Sequence, residues 1–392
     1  MSTAIVNFGI IGTGGRGMHF ARGLLARPQD ARIVALCDTN AKRLAGAQEL
    51  LGTDATLYRD YRDLLAREDI AAVIITTPDY THEEIAQASF RAGKHTLCEK
   101  PLATTVEGCR RILQAQAASG KLLEVGFVLR YVTLFERARD VVQRGELGTP
   151  RLIELSDHYR GGSSYFRRWN RLSRYSGGLL IHKGTHDFDL LNWILGRLPT
   201  HVAAFADVNV FVPDPAKGER CLTCANRCPN YVDITQGQAG KLFYSAEDED
   251  GYVQDVCLYN SEKDTHDSAA VLLNYGGAAR AVYTECFHSA LTGRRLHIIG
   301  DQAELLAEEA GMRLEVTYRY RNERVAHTFA VGDQGHGGGD EGQIAALLDA
   351  IRGGAPTRAT GEAGMWAVAV GQAAELARRS GRIVALDEVL KP

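Results

Sequence analysis

Through the first hundred positions the apolar residues fall in short β-branched blocks, at 5–11, 32–37, 71–76 and 95–98, each the length of a buried strand. Between them run stretches of helical period, one over 18–27 closed by Pro28 and another reaching through Phe90 and Arg91. Strands and helices alternating at this spacing predict a doubly wound parallel sheet with right-handed crossovers. A helix over 106–118 and a strand over 122–129 extend the pattern. After residue 150 the rhythm changes. Apolar runs at 151–155, 253–259, 269–274, 279–287, 296–299 and 313–320 are separated by Gly and Asp turn signals, which predicts a large open, mainly antiparallel sheet. A helix over 340–351, another over 365–380 and a short strand over 382–386 close the chain. The expected architecture is an α/β Rossmann domain over 1–127 and an α+β domain over 128–392.

Composition narrows the partners. The 392 residues are 45% hydrophobic and carry a net charge of −3, which gives no field for capturing nucleic acid or an anionic membrane. No run approaches membrane-spanning length, and the N-terminus passes into an apolar strand without a basic leader, so a cytoplasmic location is expected. A small-molecule partner follows.

The first strand leads into Gly12-Thr13-Gly14-Gly15-Arg16-Gly17 and then a helix. In such a turn Gly12 permits the tight bend, Gly14 lets the backbone approach a pyrophosphate, and Gly17 lets helix and strand pack closely. The next strand ends in Asp38, about twenty residues past the last glycine, where a carboxylate accepts hydrogen bonds from adenosine ribose hydroxyls. NAD is therefore the expected cofactor; Arg16 and Arg43 stand near enough in sequence to keep NADP as the alternative. The third and fourth strands end in Thr77-Pro78 and in Glu99-Lys100-Pro101, so the carboxyl ends of four strands bring candidate groups to one crevice.

Gly12-x-Gly14-x-Arg16-Gly17, Asp38, Thr77-Pro78 with His82, and Ala92-Gly93-Lys94-His95 running into Glu99-Lys100-Pro101 resemble the Gfo/Idh/MocA family of sugar and polyol dehydrogenases. The resemblance implies an N-terminal Rossmann domain and a second domain built on a large open sheet. It implies that Gly12, Thr13, Gly14, Arg16, Gly17, Asp38, Thr77, Pro78, His82, Glu99 and Lys100 lie at the cofactor, that Lys100 is catalytic beside the nicotinamide, and that Pro101 follows a cis peptide. It further implies C-terminal helices, at about 340–380, that pack back on the first domain, and a homo-oligomer, dimer or tetramer. The segment Gly177–Asp189 matches the family's second signature, in which an aspartate and a histidine four residues later sit at the substrate. His186 matches that histidine and Asp189 a later acid, while His182, followed by Lys183, stands where the family usually has aspartate.

Oxidising a secondary alcohol needs a base for the hydroxyl proton, and histidine exchanges protons near neutrality. His186 is the first choice, with Lys100 stabilising alkoxide character on the same oxygen and His182 or Lys183 orienting substrate or sharing the proton. His182 and His186, four apart, share a face if both are on one helix. Arg130 and Tyr131 at the domain junction, Arg160 and Trp169 in an arginine- and aromatic-rich loop, and Lys183 are the candidate substrate contacts, suited to a hydroxyl-rich ring. Cys221-x-x-Cys224-x-x-x-Cys228 is the chain's individual feature. With Cys257, His201 or His266 as a fourth ligand it is a candidate structural zinc site; free thiols in a folded loop are the equal alternative, and a disulfide or iron–sulfur cluster the remainder. The reading is an NAD(P)-dependent oxidoreductase acting on a ring CH–OH of a sugar, sugar derivative or cyclic polyol. Two rivals stand beside it: an enzyme that keeps its NAD through a closed redox cycle, giving glycoside cleavage or epimerisation, and a non-enzymatic NAD and sugar sensor.

Overall fold

The computed structural model describes residues 4–277, 279–330 and 336–391. Six strands, β1 (Val6–Ile11), β2 (Ala31–Cys37), β3 (Thr56–Tyr58), β4 (Ala72–Ile75), β5 (His95–Cys98) and β6 (Leu123–Val125), form one sheet in the order β3-β2-β1-β4-β5-β6. All its pairings are parallel. The order reverses at β1, between β2 and β4, which leaves a crevice beyond the carboxyl ends of these strands. The glycine turn opens into helix α1 (Gly15–Leu25) at that crevice. β6 is shorter than the apolar run 122–129 predicts. Phe127 leaves the extended region (φ −86°, ψ 68°) and a 3₁₀ turn, Val128–Tyr131, carries the chain to the second domain.

The second sheet has nine strands, β7 (Pro150–His158), β8 (His201–Asp207), β9 (Ser268–Asn274), β10 (Arg280–Cys286), β11 (Gly293–Gly300), β12 (Ala303–Glu308), β13 (Arg313–Tyr318), β14 (Arg324–Thr328) and β15 (Val384–Ala385), in the order β14-β13-β12-β11-β7-β10-β9-β8-β15. β7 and β10 run parallel and the other neighbours antiparallel. The run 253–259 is not one of these strands: it contributes a single bridge, Arg220 to Val256, inside a long insertion between β8 and β9. β12, rich in Ala, Glu and Leu, has little strand propensity of its own, and pairing with β11 and β13 overrides it.

Helices α2 (Thr185–Leu195) and α4 (Gly361–Ser380) cover the inner face of the large sheet, with Phe188 of α2 tilted 69° against the buried Tyr283 ring at 5.2 Å. Helix α3 (Gly339–Ile351) returns to the first domain, where Ile344, Leu347 and Leu348 join Phe20, Leu24 and Ile33 in one apolar cluster. A Cβ on Gly23 of α1 would lie 2.4 Å from Ile344 Cδ1, so the missing side chain sets how closely α1 and α3 approach.

Candidate active site

The glycine turn is constrained on one side and open on the other. Gly12 has φ +97°, and a Cβ there would lie 2.8 Å from the Thr76 backbone; at Gly17 it would lie 1.9 Å from the Gly12 carbonyl. At Gly14 and Gly15 it would meet nothing within 4 Å, which leaves space over the first N–H groups of α1. Such a cradle fits a pyrophosphate. Asp38, at the end of β2, accepts from Thr13 N and Thr13 Oγ1, each at 3.0 Å, through one oxygen, and from Asn40 N at 3.1 Å and Arg43 at 3.0 Å through the other. The residues present therefore suit NAD.

Arg16 faces away from that corner. Its Nε donates to Glu99 Oε1 at 2.7 Å and a terminal nitrogen to Asp340 Oδ1 at 2.8 Å, so it ties the glycine turn to the end of β5 and the start of α3. Arg43 is likewise engaged, by Asp38 and Asp250. Neither arginine is left to meet a 2′-phosphate.

At the other end of the crevice three segments converge. Lys100, whose bond to Pro101 is cis, directs Nζ across to the His182 carbonyl at 2.8 Å, while Glu99 Oε2 accepts from Lys100 N at 3.0 Å. His182 Nδ1 lies 2.6 Å from Asp79 Oδ2, just after Thr77-Pro78 at the end of β4. The ring of His82 spans the Pro101 carbonyl (2.8 Å) and the Thr77 carbonyl (2.9 Å), so it braces the two loops that carry Asp79 and Lys100. Trp169 and Tyr165 meet the His182 ring edge-on, at 5.3 and 5.7 Å between centroids.

Burial dominates the ionisation of these groups. It lowers the pKa of Lys100, an effect the Lys183 and Arg16 charges add to and Glu99 and Asp79 offset in part. Burial, then the Lys100 and Lys183 charges, push His182 well below its ordinary value, and burial pushes Asp79 well above its own. Burial thus disfavours the charged form of each member of the Asp79–His182 pair and of the neighbouring Lys100.

His182 and His186 do not lie on one helix, so the condition for a shared face is not met. Leu179–His182 is a separate helical turn and α2 begins at Thr185. Lys183 and Gly184 turn the chain between them; a Cβ on Gly184 would lie 2.6 Å from the Leu180 carbonyl. His186 sits buried in the first turn of α2 with its ring edge-on to Phe127 at 6.3 Å.

Lys183 opens a buried chain of charge. Its Nζ lies 2.5 Å from Asp157, which Arg294 reaches at 3.0 Å; Arg294 also reaches Asp187 at 2.6 Å, and the Tyr283 hydroxyl lies between Asp187 and Glu285, 3.1 and 2.9 Å from their carboxyl oxygens. His266 completes the chain against Glu285. Arg294, Asp157 and Glu285 form one row across β11, β7 and β10. Burial raises Asp187 to about 7, whereas for Asp157 burial is outweighed by Arg294 and Lys183 and its pKa is lowered. Sequence reasoning missed this row and Asp79. The signal was present: Asp157, Glu285 and Arg294 each occupy the inward phase of an alternating strand, and Asp79 follows a strand's carboxyl end.

Of the candidate substrate contacts, Trp169 and Lys183 reach this end of the crevice. Arg130 makes a two-pronged pair with Asp189 at 2.7 and 2.8 Å and also donates to the Arg358 carbonyl, and Tyr131 donates to Glu124 at 2.6 Å; both are committed inside the junction. Arg160 is exposed, and its contact is made by its backbone N–H to Thr292 Oγ1 at 3.0 Å.

The zinc expectation is corrected. Cys221, Cys224, Cys228 and Cys257 are free thiols, and among the described residues no group of three His, Cys, Asp or Glu side chains is arranged to hold a metal. Arg167 donates to Cys221 Sγ at 3.0 Å and Gly218 N to Cys224 Sγ at 3.3 Å, while His266 is held by Glu285 and His201 by Thr200. Two of the thiols, and both imidazoles that would complete a tetrahedron, have other partners.

A Rossmann crevice with an open glycine turn and a ribose-type carboxylate at one end, and a buried lysine at the other, defines the class of nicotinamide-dinucleotide oxidoreductases. Residues 6–127 match the "Oxidoreductase family, NAD-binding Rossmann fold" and residues 139–386 the matching "C-terminal alpha/beta domain". The chain belongs to the Gfo/Idh/MocA oxidoreductase family. It is 30% identical over 386 residues to YteT of Bacillus subtilis (strain 168), a protein named only provisionally as an oxidoreductase, covering 87% of this chain and 88% of that one. It is 33% identical over 192 residues to inositol 2-dehydrogenase of Klebsiella pneumoniae, an alignment covering 48% of this chain and 54% of that enzyme. Among solved structures, an oxidoreductase domain protein from Kribbella flavida superposes with a TM-score of 0.78 at 23% identity, covering 98% of this chain and 100% of that one. A levoglucosan dehydrogenase in complex with NADH and levoglucosan also gives 0.78, at 17% identity, over 98% and 100% of the two chains. These two likenesses are of fold. No helix among the described residues is long and apolar enough to cross a membrane.

Proposed function

We propose that the chain moves a hydride between NAD and a ring CH–OH of a sugar, sugar derivative or cyclic polyol, with Lys100 and His186 handling the hydroxyl proton. The observation that carries this reading is the convergence of Lys100, from the end of β5, with His182 from the second domain and Asp79 from the end of β4, at the mouth of the dinucleotide crevice. Bound NAD would supply the hydride acceptor; the glycine turn and Asp38 would hold it. Lys100, its charge weakened by burial, hydrogen-bonds the reacting oxygen and favours its alkoxide character. His186 takes the proton. The Asp79–His182 contact fixes the carbonyl that Lys100 leans on. Trp169 and the aromatic loop present flat apolar faces of the kind that stack on sugar rings. The inositol and levoglucosan names among the relatives support the substrate class.

The test is absorbance at the reduced-nicotinamide band while the purified protein and NAD meet a panel of inositols, aldoses, sugar acids and glycosides. Growth of the band in proportion to one substrate is expected. Substrate consumption with a flat trace would replace this reading by a closed redox cycle, and binding without consumption would replace it by a sensor.

A further inference from the structure

The insertion between β8 and β9 does not stay with its own domain. Its helix Gly237–Leu242 lies on the first domain's helix Ala41–Leu51, with Leu242 buried against Met18 and Ala47. A Cβ on Gly46 would sit 2.9 Å from the Lys241 carbonyl, so the approach depends on that glycine. Next comes the run Glu247-Asp248-Glu249-Asp250, and three of its four carboxylates reach the corner beside Asp38. Glu249 accepts from Ala41 N and Lys42 N at 2.9 and 3.0 Å, capping the helix that follows β2, and pairs with Arg59 at 3.0 Å. Asp248 pairs with Lys42 at 2.6 Å and Asp250 with Arg43 at 2.7 Å. Asn40 Nδ2 donates to the Ala246 carbonyl at 2.9 Å, and Arg43 Nε to the Leu242 carbonyl at 3.2 Å.

Rossmann sheets that accept NADP do so with an arginine near the ribose carboxylate, and a helix N-terminus is itself a phosphate site. This chain has the arginine, a second arginine, a lysine and the free helix N–H groups in that neighbourhood. Every one of them already faces a carboxylate of the inserted segment. We propose that Glu249 and Asp250 are specificity-determining residues: the inserted acidic run is a built-in anion that holds the phosphate-binding donors and excludes NADP, so that coenzyme choice is set from the second domain as well as by Asp38. Asp38 alone would repel a 2′-phosphate with one charge while leaving Arg43 to attract it. Asp250 removes that attraction by taking the other end of the same guanidinium.

The inference rests on the dinucleotide reading of the crevice, and its test reads affinity rather than turnover. NAD and NADP are titrated calorimetrically into the full chain, into Glu249→Gln, into Asp250→Asn and into the double variant. The amide replacements keep size and leave the apolar seat of Leu242 in place. The parent is expected to favour NAD, and the ratio of NADP to NAD affinity to rise at least tenfold in the double variant, with smaller rises in each single one. A ratio within twofold of the parent in all three variants, while NAD still binds, overturns the proposal and leaves the cofactor reading intact. A parent that binds neither nucleotide overturns both, and a parent that favours NADP overturns this inference alone.

Discussion

The two ends of the crevice are both crowded with charge, in opposite surroundings. At the Asp38 end the outer ion pairs lie in water, Lys42 and Asp248 being 52% and 68% exposed, around an inner pair, Arg43 and Asp38, that is 10% and 9% exposed. At the Lys100 end, Arg294, Asp157 and Asp187 are 7%, 4% and 0% exposed. Exposed pairs contribute about 0–1 kcal/mol each, because water screens them and long side chains lose freedom. A buried pair adds little net stability when intact, yet removing one partner strands an uncompensated charge at about 3–5 kcal/mol. The same residue types therefore serve different ends. At the surface they dock a segment and select among anions; in the interior they hold neighbouring groups in one arrangement and set their protonation.

The contrast can be broken at four points. Lys100→Met, which keeps the apolar stem and removes the ammonium, is expected to lower turnover by about 10²–10³-fold or more while NAD still binds. Steady-state rates alongside nucleotide titration check this, and near-parental turnover would take Lys100 out of the chemistry. Arg294→Met leaves Asp157 and Asp187 facing each other without their shared cation, and should cost about 3–5 kcal/mol in urea unfolding. Asp79→Asn acts through Lys100. Asp79 raises the Lys100 pKa against the larger lowering by burial, so replacing its carboxyl by an amide should move the Lys100 limb of the pH profile of kcat/KM toward acid. A limb that stays in place or moves toward alkali would sink that coupling. The smallest effect is expected at Lys42→Ala, under about 1 kcal/mol and vanishing in high salt. If that change cost as much as Arg294→Met, the distinction between the two ends would be lost.

Much of the first domain was legible because its signals are local. The glycine turn, Asp38 and Glu99-Lys100-Pro101 each follow an apolar strand directly, and parallel topology carries strand ends to one edge. Lys100 could be named from that alone. Arg16 could not be placed, because its partners Glu99 and Asp340 lie 83 and 324 residues away. The second sheet was legible in kind but not in detail: β12 is held by neighbouring strands rather than by its own propensity. The cysteine spacing suggested a metal, but spacing does not say which side chains will meet, and Arg167 and Gly218 reached two of the thiols instead.

By itself, then, the amino-acid sequence determined the fold class and the place of the glycine turn, Asp38 and Lys100 at the ends of parallel strands. Hydrophobic period and strand-end motifs act over a few residues, and the topology they imply is narrow. Only the tertiary structure decided that Asp79 and His182 meet, that Arg294 bridges two buried aspartates, and that an acidic insertion packs on the corner beside Asp38. Each of these joins segments from 103 to 208 residues apart. Their protonation follows from burial and neighbouring charge, which exist only once the chain is folded.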